Sequence, residues 1–216
     1  MSDTPQPADR QAPVVPAGRF GVILADPPWP YATYSVKGTG RSAEAHYDTM
    51  SIDAICALPV RQSAVDDCVL FLWVTKPTLP RAFEVITAWD FEYKTNGFWW
   101  AKTYPEPAGL FERPPRFCIG LGHWTRANPE QCLLATRGHP QRQAKDVPEI
   151  IIAPRREHSR KPDEIYERIE RLVAGPYLEL FARDDGITRP GWTRWIGKAA
   201  ATERRWKSDS YPEAPA

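Results

Sequence analysis

A carboxylate, two prolines and an indole follow one another at Asp26-Pro27-Pro28-Trp29. Two successive prolines fix the backbone and remove two amide donors. The groups left for a ligand are the Asp26 carboxylate, carbonyl oxygens and a rigidly held aromatic ring. Such a site suits a planar ligand that bears an NH2 group, because the acceptors bind its two hydrogens and the ring stacks on its face. The alternative is a structural turn, in which Asp26 caps the backbone and Trp29 packs in the core.

Apolar runs separated by polar breaks predict the elements that must position this tetrapeptide. Short continuous apolar runs are typical of buried strands, and apolar residues spaced by three and four are typical of a helix. The predicted strands are Phe20–Ala25, Cys68–Val74, Gly97–Ala101, Gln131–Thr136 and Tyr177–Ala182, and Glu149–Ala153 is a further short apolar run. The predicted helices are Ser51–Leu58, Leu79–Trp89 and Pro162–Ala174.

Strands that alternate with helices predict an α/β fold with a mostly parallel sheet and helices on both faces. Ligands of such sheets bind beyond the carboxyl ends of the strands. Asp26 follows the first predicted strand and Arg183 follows the last, so we expect both at one ligand-binding edge.

Prolines exclude regular structure from residues 104–116. We expect loops 32–46 and 103–117 to set any sequence preference and to be mobile without substrate.

The composition limits how the chain can bind a partner. It has 216 residues, 28 Lys and Arg and 27 Asp and Glu, for a net charge of +1, so contact with a polyanion must depend on local clusters of charge. The apolar runs are far shorter than the roughly 20 residues of a membrane-spanning helix. Residues 1–18 lack the apolar centre of a secretory signal. We expect a flexible lead at residues 1–18, one domain at 19–198 and a polar tail at 199–216.

The cysteines lie at Cys56, Cys68, Cys118 and Cys132, without paired short spacing. This spacing argues against both a zinc site and a disulfide framework. Cys56, Cys68 and Cys132 lie within apolar runs and are expected to be small core residues. The expectation is a cytoplasmic protein that binds no metal.

Several ordered blocks resemble one family of methyltransferases. LADPPW resembles the signature of the amino-methyltransferases that act on adenine N6, in the branch related to the seventy-kilodalton mRNA adenosine methyltransferase subunit. The length of the chain is similar to that of the small bacterial and phage members. The other matching blocks are HYDTMS (46–51), VLFLWVT (69–75), GHWTRANPEQCLLATRG (122–138), REHSRKPDEIYERIE (156–170), ELFAR (179–183) and RPGW (189–192).

The resemblance implies a Rossmann-like fold dependent on S-adenosylmethionine (SAM), with the motifs in permuted order and the catalytic block first. It implies methyl transfer from SAM to the exocyclic N6 amine of adenine in a nucleic acid. Asp26, Pro27, Pro28 and Trp29 are the catalytic residues in this interpretation. The Asp26 carboxylate and the Pro27 carbonyl would accept the two amine hydrogens, and Trp29 would stack on the target base.

The resemblance also implies the cofactor-binding residues. Lys161, the lysine of the KPDE block, would contact the SAM carboxylate. Arg183, which follows ELFA, would contact the ribose or its surroundings. The backbone of Phe181 would line the pocket for the SAM adenine. The structural alternatives are an exposed lysine at a helix start and a surface ion pair for the arginine. The family usually carries Asn where this chain has Lys198, and the stretch from Arg183 to Trp192 is longer than in the compact family form. The implied cofactor-binding residues are Asp26, Lys161, Phe181, Arg183 and Lys198.

A third group of residues is expected to bind the nucleic acid. The resemblance places Tyr47 in a loop that closes over the target base, with an ordinary capped turn as the alternative. Arg155, Arg156, Arg160 and Lys161 lie within seven residues and suggest a phosphate-facing patch, with exposed charge as the alternative. The expected substrate-binding residues are Trp29, Tyr47, Arg156, Arg160 and Lys161.

Three functions fit these residues. The intact Asp26–Trp29 tetrapeptide favours an adenine-N6 methyltransferase that acts on DNA, either single-stranded or with the base flipped out of a duplex. The alternatives are an enzyme that acts on RNA, and a catalytically weak nucleic-acid-binding partner subunit, for which Lys198 is the one mark. We expect a monomer or homodimer without membrane association.

Overall fold

The computed structural model describes residues 14–30, 49–105, 114–120, 122, 124–156 and 160–197. Seven strands and three α-helices lie along these residues. The strands are β1 (Phe20–Ala25), β2 (Ala64–Val74), β3 (Glu92–Thr103), β4 (Glu130–Arg137), β5 (Ile150–Pro154), β6 (Tyr177–Leu180) and β7 (Trp192–Trp195). The helices are α1 (Ile52–Cys56), α2 (Leu79–Ala88) and α3 (Glu164–Leu172).

The seven strands form one sheet in the order β5-β3-β4-β2-β1-β6-β7. Four of the six pairings are parallel, and β4 pairs antiparallel with both of its neighbours, so β4 runs against the other six described strands. Its first residue, Glu130, therefore lies at the edge where β1, β2 and β6 end. The topology confirms the predicted α/β fold with a mostly parallel sheet.

Alternate residues of the central strands point to opposite faces of the sheet. Ile23 and Leu70 belong to a core cluster that includes residues of α1 and α2. Leu24 and Phe71 belong to a second core cluster, which includes residues of α3. Burial of an apolar side chain of this size contributes about 1.5–3 kcal/mol. The two clusters thus hold the central strands from both sides and fix the positions of the strand ends. This arrangement confirms the prediction of helices on both faces.

The predicted strand Phe20–Ala25 is observed with the same ends, and the other predicted strands and helices are present with different ends. β3 begins at Glu92, before the predicted start at Gly97. β6 ends at Leu180, because Phe181 has a φ of 62°, and a residue in this left-handed region leaves the extended conformation. The run Glu149–Ala153 contributes most of β5. β7 was not predicted, since its four residues, Trp-Thr-Arg-Trp, form neither a continuous apolar run nor a strict alternation of apolar and polar side chains.

The last residues of the predicted flexible lead are packed. Val15 is buried in the cluster with α1 and α2. The Ser63 hydroxyl donates a hydrogen bond of 2.7 Å to the Pro16 carbonyl. Val15 and Pro16 of the predicted flexible lead are therefore held against the domain by apolar burial and by this hydrogen bond.

Cys68 and Cys132 are buried in the core, as predicted, and Cys56 is half-buried against it; all four cysteines are free thiols. Among the helices described here, none has the length and apolar character needed to cross a membrane.

Candidate active site

A cleft opens at the edge of the sheet where β1 and β6 end. Asp26 follows β1, Phe181 and Arg183 follow β6, and Lys161 lies just before α3; all four side chains line this cleft. The structure thus brings together two of the predicted polar residues, Asp26 and Arg183, from opposite ends of the sequence. It also adds Lys161 to the same cleft.

Asp26 and Lys161 form an ion pair across the cleft. The Lys161 Nζ lies 2.5 Å from the Asp26 Oδ2, and it also lies 5.5 Å from the centre of the Trp73 ring. The lysine side chain is 15% exposed and the aspartate side chain 33%, so the carboxylate can still be reached from the cleft. Burial raises the pKa of the Asp26 carboxyl above its ordinary value, although the charge of Lys161 opposes this effect. The alternative to the predicted cofactor role, an exposed lysine at a helix start, does not hold for Lys161.

Glu130 is a site residue that sequence reasoning missed. Its Oε2 lies 3.4 Å from the Lys161 Nζ, and its Oε1 pairs with Lys102. Burial alone would raise the pKa of Glu130, but the two lysines outweigh this effect and lower the pKa to about 2. Glu130 is therefore ionised at neutral pH, and Lys161 lies between two carboxylates. Glu130 comes just before the predicted strand Gln131–Thr136, but its place at this edge depends on the antiparallel course of β4.

The two prolines and Trp29 form a tight turn fixed to the neighbouring strand. The Trp29 amide donates to the Pro27 carbonyl at 2.8 Å, and the Met50 amide donates to the Pro28 carbonyl at 2.9 Å. A carbonyl oxygen has two lone pairs, so the Pro27 carbonyl can accept a second hydrogen bond. The Trp29 indole is 4% exposed and donates from Nε1 to the Trp73 carbonyl at 2.9 Å. The structure therefore supports the core position for Trp29 over the predicted stacking on a base, because the ring is already covered.

We expect the replacement Trp29→Phe to destabilise the domain. The change removes the hydrogen bond to the Trp73 carbonyl inside the core, and loss of such a bond costs about 1 kcal/mol. Equilibrium urea unfolding should show a lower free energy of unfolding. Trp124→Phe is the matched control, since Trp124 is 94% exposed. Equal stabilities of the two variants would contradict the anchoring role of Trp29.

Phe181 shapes the far side of the cleft. Its ring is 9% exposed and packs edge-on against Trp195 at 5.3 Å between ring centres. Its positive φ of 62° turns the chain sharply after β6, and this turn directs the next residues along the cleft. Arg183, two residues later, lines the same cleft.

Arg156 and Arg160, which were predicted to face phosphate, form ion pairs just before α3. Both guanidinium groups contact the Oδ2 of Asp163, and Arg189 contacts its Oδ1 at 2.5 Å. Burial alone would raise the pKa of Asp163, but the hydrogen bonds from Arg156 and Arg189 lower it. The carboxylate compensates much of the positive charge that the sequence shows here. Arg155, the other arginine of the cluster, lies over the Tyr104 ring at 4.8 Å.

Two buried nitrogen donors of the cleft have no hydrogen-bond partner within the described part of the chain. They are the Nε1 of Trp73 and the Nε of Arg189, and both side chains line the cleft with Lys161 and Arg183. A buried polar group without a partner is rare in proteins. The donor set therefore fits a ligand that carries acceptor oxygens, such as a carboxylate.

Two of the predicted site residues, Tyr47 and Lys198, lie outside the described residues. The same holds for loop 32–46 and for the middle of loop 103–117.

Comparison with known proteins identifies the relatives of this chain. The family model MT-A70 matches residues 20–198. The Type II methyltransferase M.MunI of Mycoplasma sp is 30% identical over 88% of this chain and 82% of its own length. The human N(6)-adenosine-methyltransferase catalytic subunit METTL3 is 36% identical over 81% of this chain, and the Drosophila melanogaster MT-A70-like protein is 34% identical over the same share. The chain spans about a quarter of the length of these last two relatives, 27% and 26%.

Proposed function

The chain belongs to the MT-A70 family, and we propose that it transfers a methyl group from SAM to the exocyclic N6 amine of adenine in DNA. The observation that carries the proposal is the Asp26 carboxylate beside the Pro27 carbonyl, two acceptors held at the ligand-binding edge of the sheet. We choose DNA because the alignment with the Type II methyltransferase covers 82% of that enzyme, whereas the alignment with the human adenosine methyltransferase subunit covers 27% of that protein.

The acceptors of the site address the main difficulty of the reaction. The amine of adenine is a weak nucleophile, because its lone pair is delocalised into the ring. Hydrogen bonds from both amine hydrogens to the Asp26 carboxylate and the Pro27 carbonyl favour a pyramidal nitrogen and direct its lone pair. Positioning of this kind can supply a large part of the reduction in barrier. The same two acceptors stabilise the positive charge that develops on the nitrogen.

The residues of the cleft fit SAM as the methyl donor. SAM supplies an electrophilic methyl group on a sulfonium. Lys161 and Arg183 are the cations that would hold its carboxylate and ribose, and the buried donors on Trp73 and Arg189 match its acceptor oxygens. The backbone turn at Phe181 would form a wall for its adenine.

The target amine can bind to the Asp26 Oδ1, or to the Oδ2 once Lys161, whose Nζ contacts that oxygen, moves away. Glu130 provides the alternative partner, 3.4 Å from the same nitrogen. Because Glu130 remains ionised, Lys161 can move toward it without leaving its charge unpaired. Once methylated, the amine nitrogen loses one proton. The Asp26 carboxylate is the base in contact with it, and the partly exposed side chain returns the proton to solvent.

The choice of substrate is tested by direct competition. Equal concentrations of single-stranded DNA, duplex DNA and RNA of the same adenine-containing sequence are incubated with the protein and labelled SAM. We expect label in both DNA oligonucleotides. Flipping a base out of a duplex costs a few kcal/mol, so the duplex should be methylated more slowly if this step limits the rate. Label confined to RNA would refute the choice of DNA while preserving the reaction, and label in none of them would refute the proposed activity.

The raised pKa of Asp26 predicts an acid limb in the pH–rate profile. The ionised carboxylate is the form that accepts hydrogen bonds from the amine, and burial makes protonation occur at higher pH than for an ordinary aspartate. The rate is therefore lost as the pH falls through this raised value. We expect kcat/KM, measured between about pH 4 and pH 8, to decline on the acid side above the usual aspartate range near 3.9. A flat profile down to pH 4 would contradict this role of Asp26.

A further inference from the structure

The loop between β6 and β7 forms one wall of the cleft. It begins at Arg183, which lines the cleft together with Asp185 and Arg189. No helix or strand lies between Ala182 and Gly191. Backbone hydrogen bonds hold the ends of this segment, and side-chain contacts help to shape its middle.

Arg194 of β7 supplies most of those contacts. Its Nη2 donates to the Arg183 carbonyl at 3.0 Å, and its Nη1 donates to the Asp185 Oδ1 at 2.9 Å and to the Ile187 carbonyl at 2.5 Å. Its Nε donates to the Glu179 Oε2 at 2.8 Å. Every nitrogen of the guanidinium group thus has an acceptor, and three of the four acceptors lie in the loop.

The position of Arg194 is itself fixed from the other side. Glu179 accepts a hydrogen bond of 2.8 Å from the Tyr166 hydroxyl through its second oxygen, Oε1. The side chains of Arg194 and Glu179 are 13% and 12% exposed, and charge-assisted hydrogen bonds that are shielded from water are stronger than those on the surface. The contacts therefore connect α3, β6 and β7 to the loop as one unit.

We propose that Arg194 is a positioning residue for cofactor binding, which holds the β6–β7 loop so that Arg183 faces the cleft. The proposal rests on the proposed function, because it takes the cleft to be the SAM site. The planar guanidinium fork is required, since the three-donor point charge of a lysine cannot reach four acceptors in different directions. Arg194 also lines the cleft, but each nitrogen of its guanidinium group is engaged by one of these acceptors, so we assign its effect to the loop.

The test measures binding of S-adenosylhomocysteine, the product form of the cofactor, by titration calorimetry. We expect Arg194→Lys to weaken binding about tenfold, as loss of one or more hydrogen bonds to a charged group implies. The Michaelis constant for SAM should rise by a similar factor, whereas kcat at saturating SAM should stay within about twofold. The matched control is Arg171→Lys, because Arg171, which lies on α3, forms an exposed ion pair with Asp146.

A double-variant cycle separates positioning from a general loss of stability. If Arg194 acts through the loop, Arg194→Lys should have little further effect on binding in an Arg183→Met background. Additive effects of the two changes would overturn the proposal, as would unchanged binding in Arg194→Lys. Should Arg194→Lys fail to fold, Asp185→Asn weakens the same contact from the loop side, and unchanged binding in that variant would also overturn it. Failure of the unchanged protein to bind S-adenosylhomocysteine would instead refute the proposed function and, with it, this proposal.

Discussion

Replacing Asp26 by Asn is expected to lower the rate of methyl transfer about 10³-fold. The carboxylate is the charged acceptor for the target amine, and it stabilises the positive charge that develops on the nitrogen. Removal of one group that stabilises transition-state charge costs about 10²–10³-fold in rate, and loss of the base for the departing proton adds to this. An amide keeps the size of the side chain but carries no charge. Single-turnover transfer from labelled SAM to a DNA oligonucleotide measures the effect.

The control for this variant is Asp66→Asn. Asp66 belongs to the same domain, its side chain is 96% exposed, and its ion pair with Arg137 is long, at 3.8 Å. We expect its rate to match that of the unchanged protein. Binding of S-adenosylhomocysteine to Asp26→Asn should be measured in parallel, because Lys161 loses a partner in this variant. A rate within tenfold of the unchanged protein would contradict the proposed role of Asp26.

The second large effect is expected for Lys161→Met, which should lower activity about 10²-fold. The change removes the cation between Asp26 and Glu130, so two carboxylates remain at the edge of the cleft without their shared partner. Removing one member of a buried ion pair lowers the free energy of unfolding by about 3–5 kcal/mol. Because Asp26 is partly exposed, we expect a smaller loss of stability here, about 1–3 kcal/mol. The change also removes the proposed contact to the SAM carboxylate.

Two measurements separate these consequences of Lys161→Met. Calorimetry should show weaker binding of S-adenosylhomocysteine, and the acid limb of the pH–rate profile should move to higher pH, because the lysine charge no longer lowers the pKa of Asp26. Lys94→Met is the matched control, since Lys94 pairs with Glu92 at the beginning of β3, on the surface. Unchanged binding together with an unchanged acid limb would show that Lys161 has neither role.

The sequence allowed the central strands to be predicted because their buried faces demand continuous apolar residues. Phe20–Ala25 and Cys68–Val74 lie within β1 and β2 as observed. The rule that ligands bind beyond the ends of parallel strands then placed Asp26 and Arg183 at one edge, and both line the cleft.

The residues that were missed or misplaced depend on pairing and packing that no local pattern contains. Glu130 reaches the site because β4 is antiparallel, and strand direction is decided by the partners of a strand. Trp29 carries the same sequence signal whether it stacks on a ligand or packs in the core; burial beside Trp73 decides for the core. The charges of Arg156 and Arg160 suggested a free basic patch, whereas Asp163 of the same segment pairs with both.

The loop at Arg183–Trp192 shows the same limit. Its sequence contains two arginines and two aspartates without any helical or strand periodicity, so it was described only by its length. The structure assigns Arg194 and Glu179 as the groups that shape it, and these lie on two strands that become neighbours only in the folded sheet.

The most direct test of the proposed reaction identifies the product base. A DNA oligonucleotide is incubated with SAM and either the unchanged protein or Asp26→Asn, digested to nucleosides and analysed by mass spectrometry. The structure and its relatives predict N6-methyl-2′-deoxyadenosine with the unchanged protein and a loss of about 10³-fold with Asp26→Asn. Methylation at another position of any base, or equal yields from the two proteins, would contradict the assignment of Asp26 as the acceptor for the adenine amine.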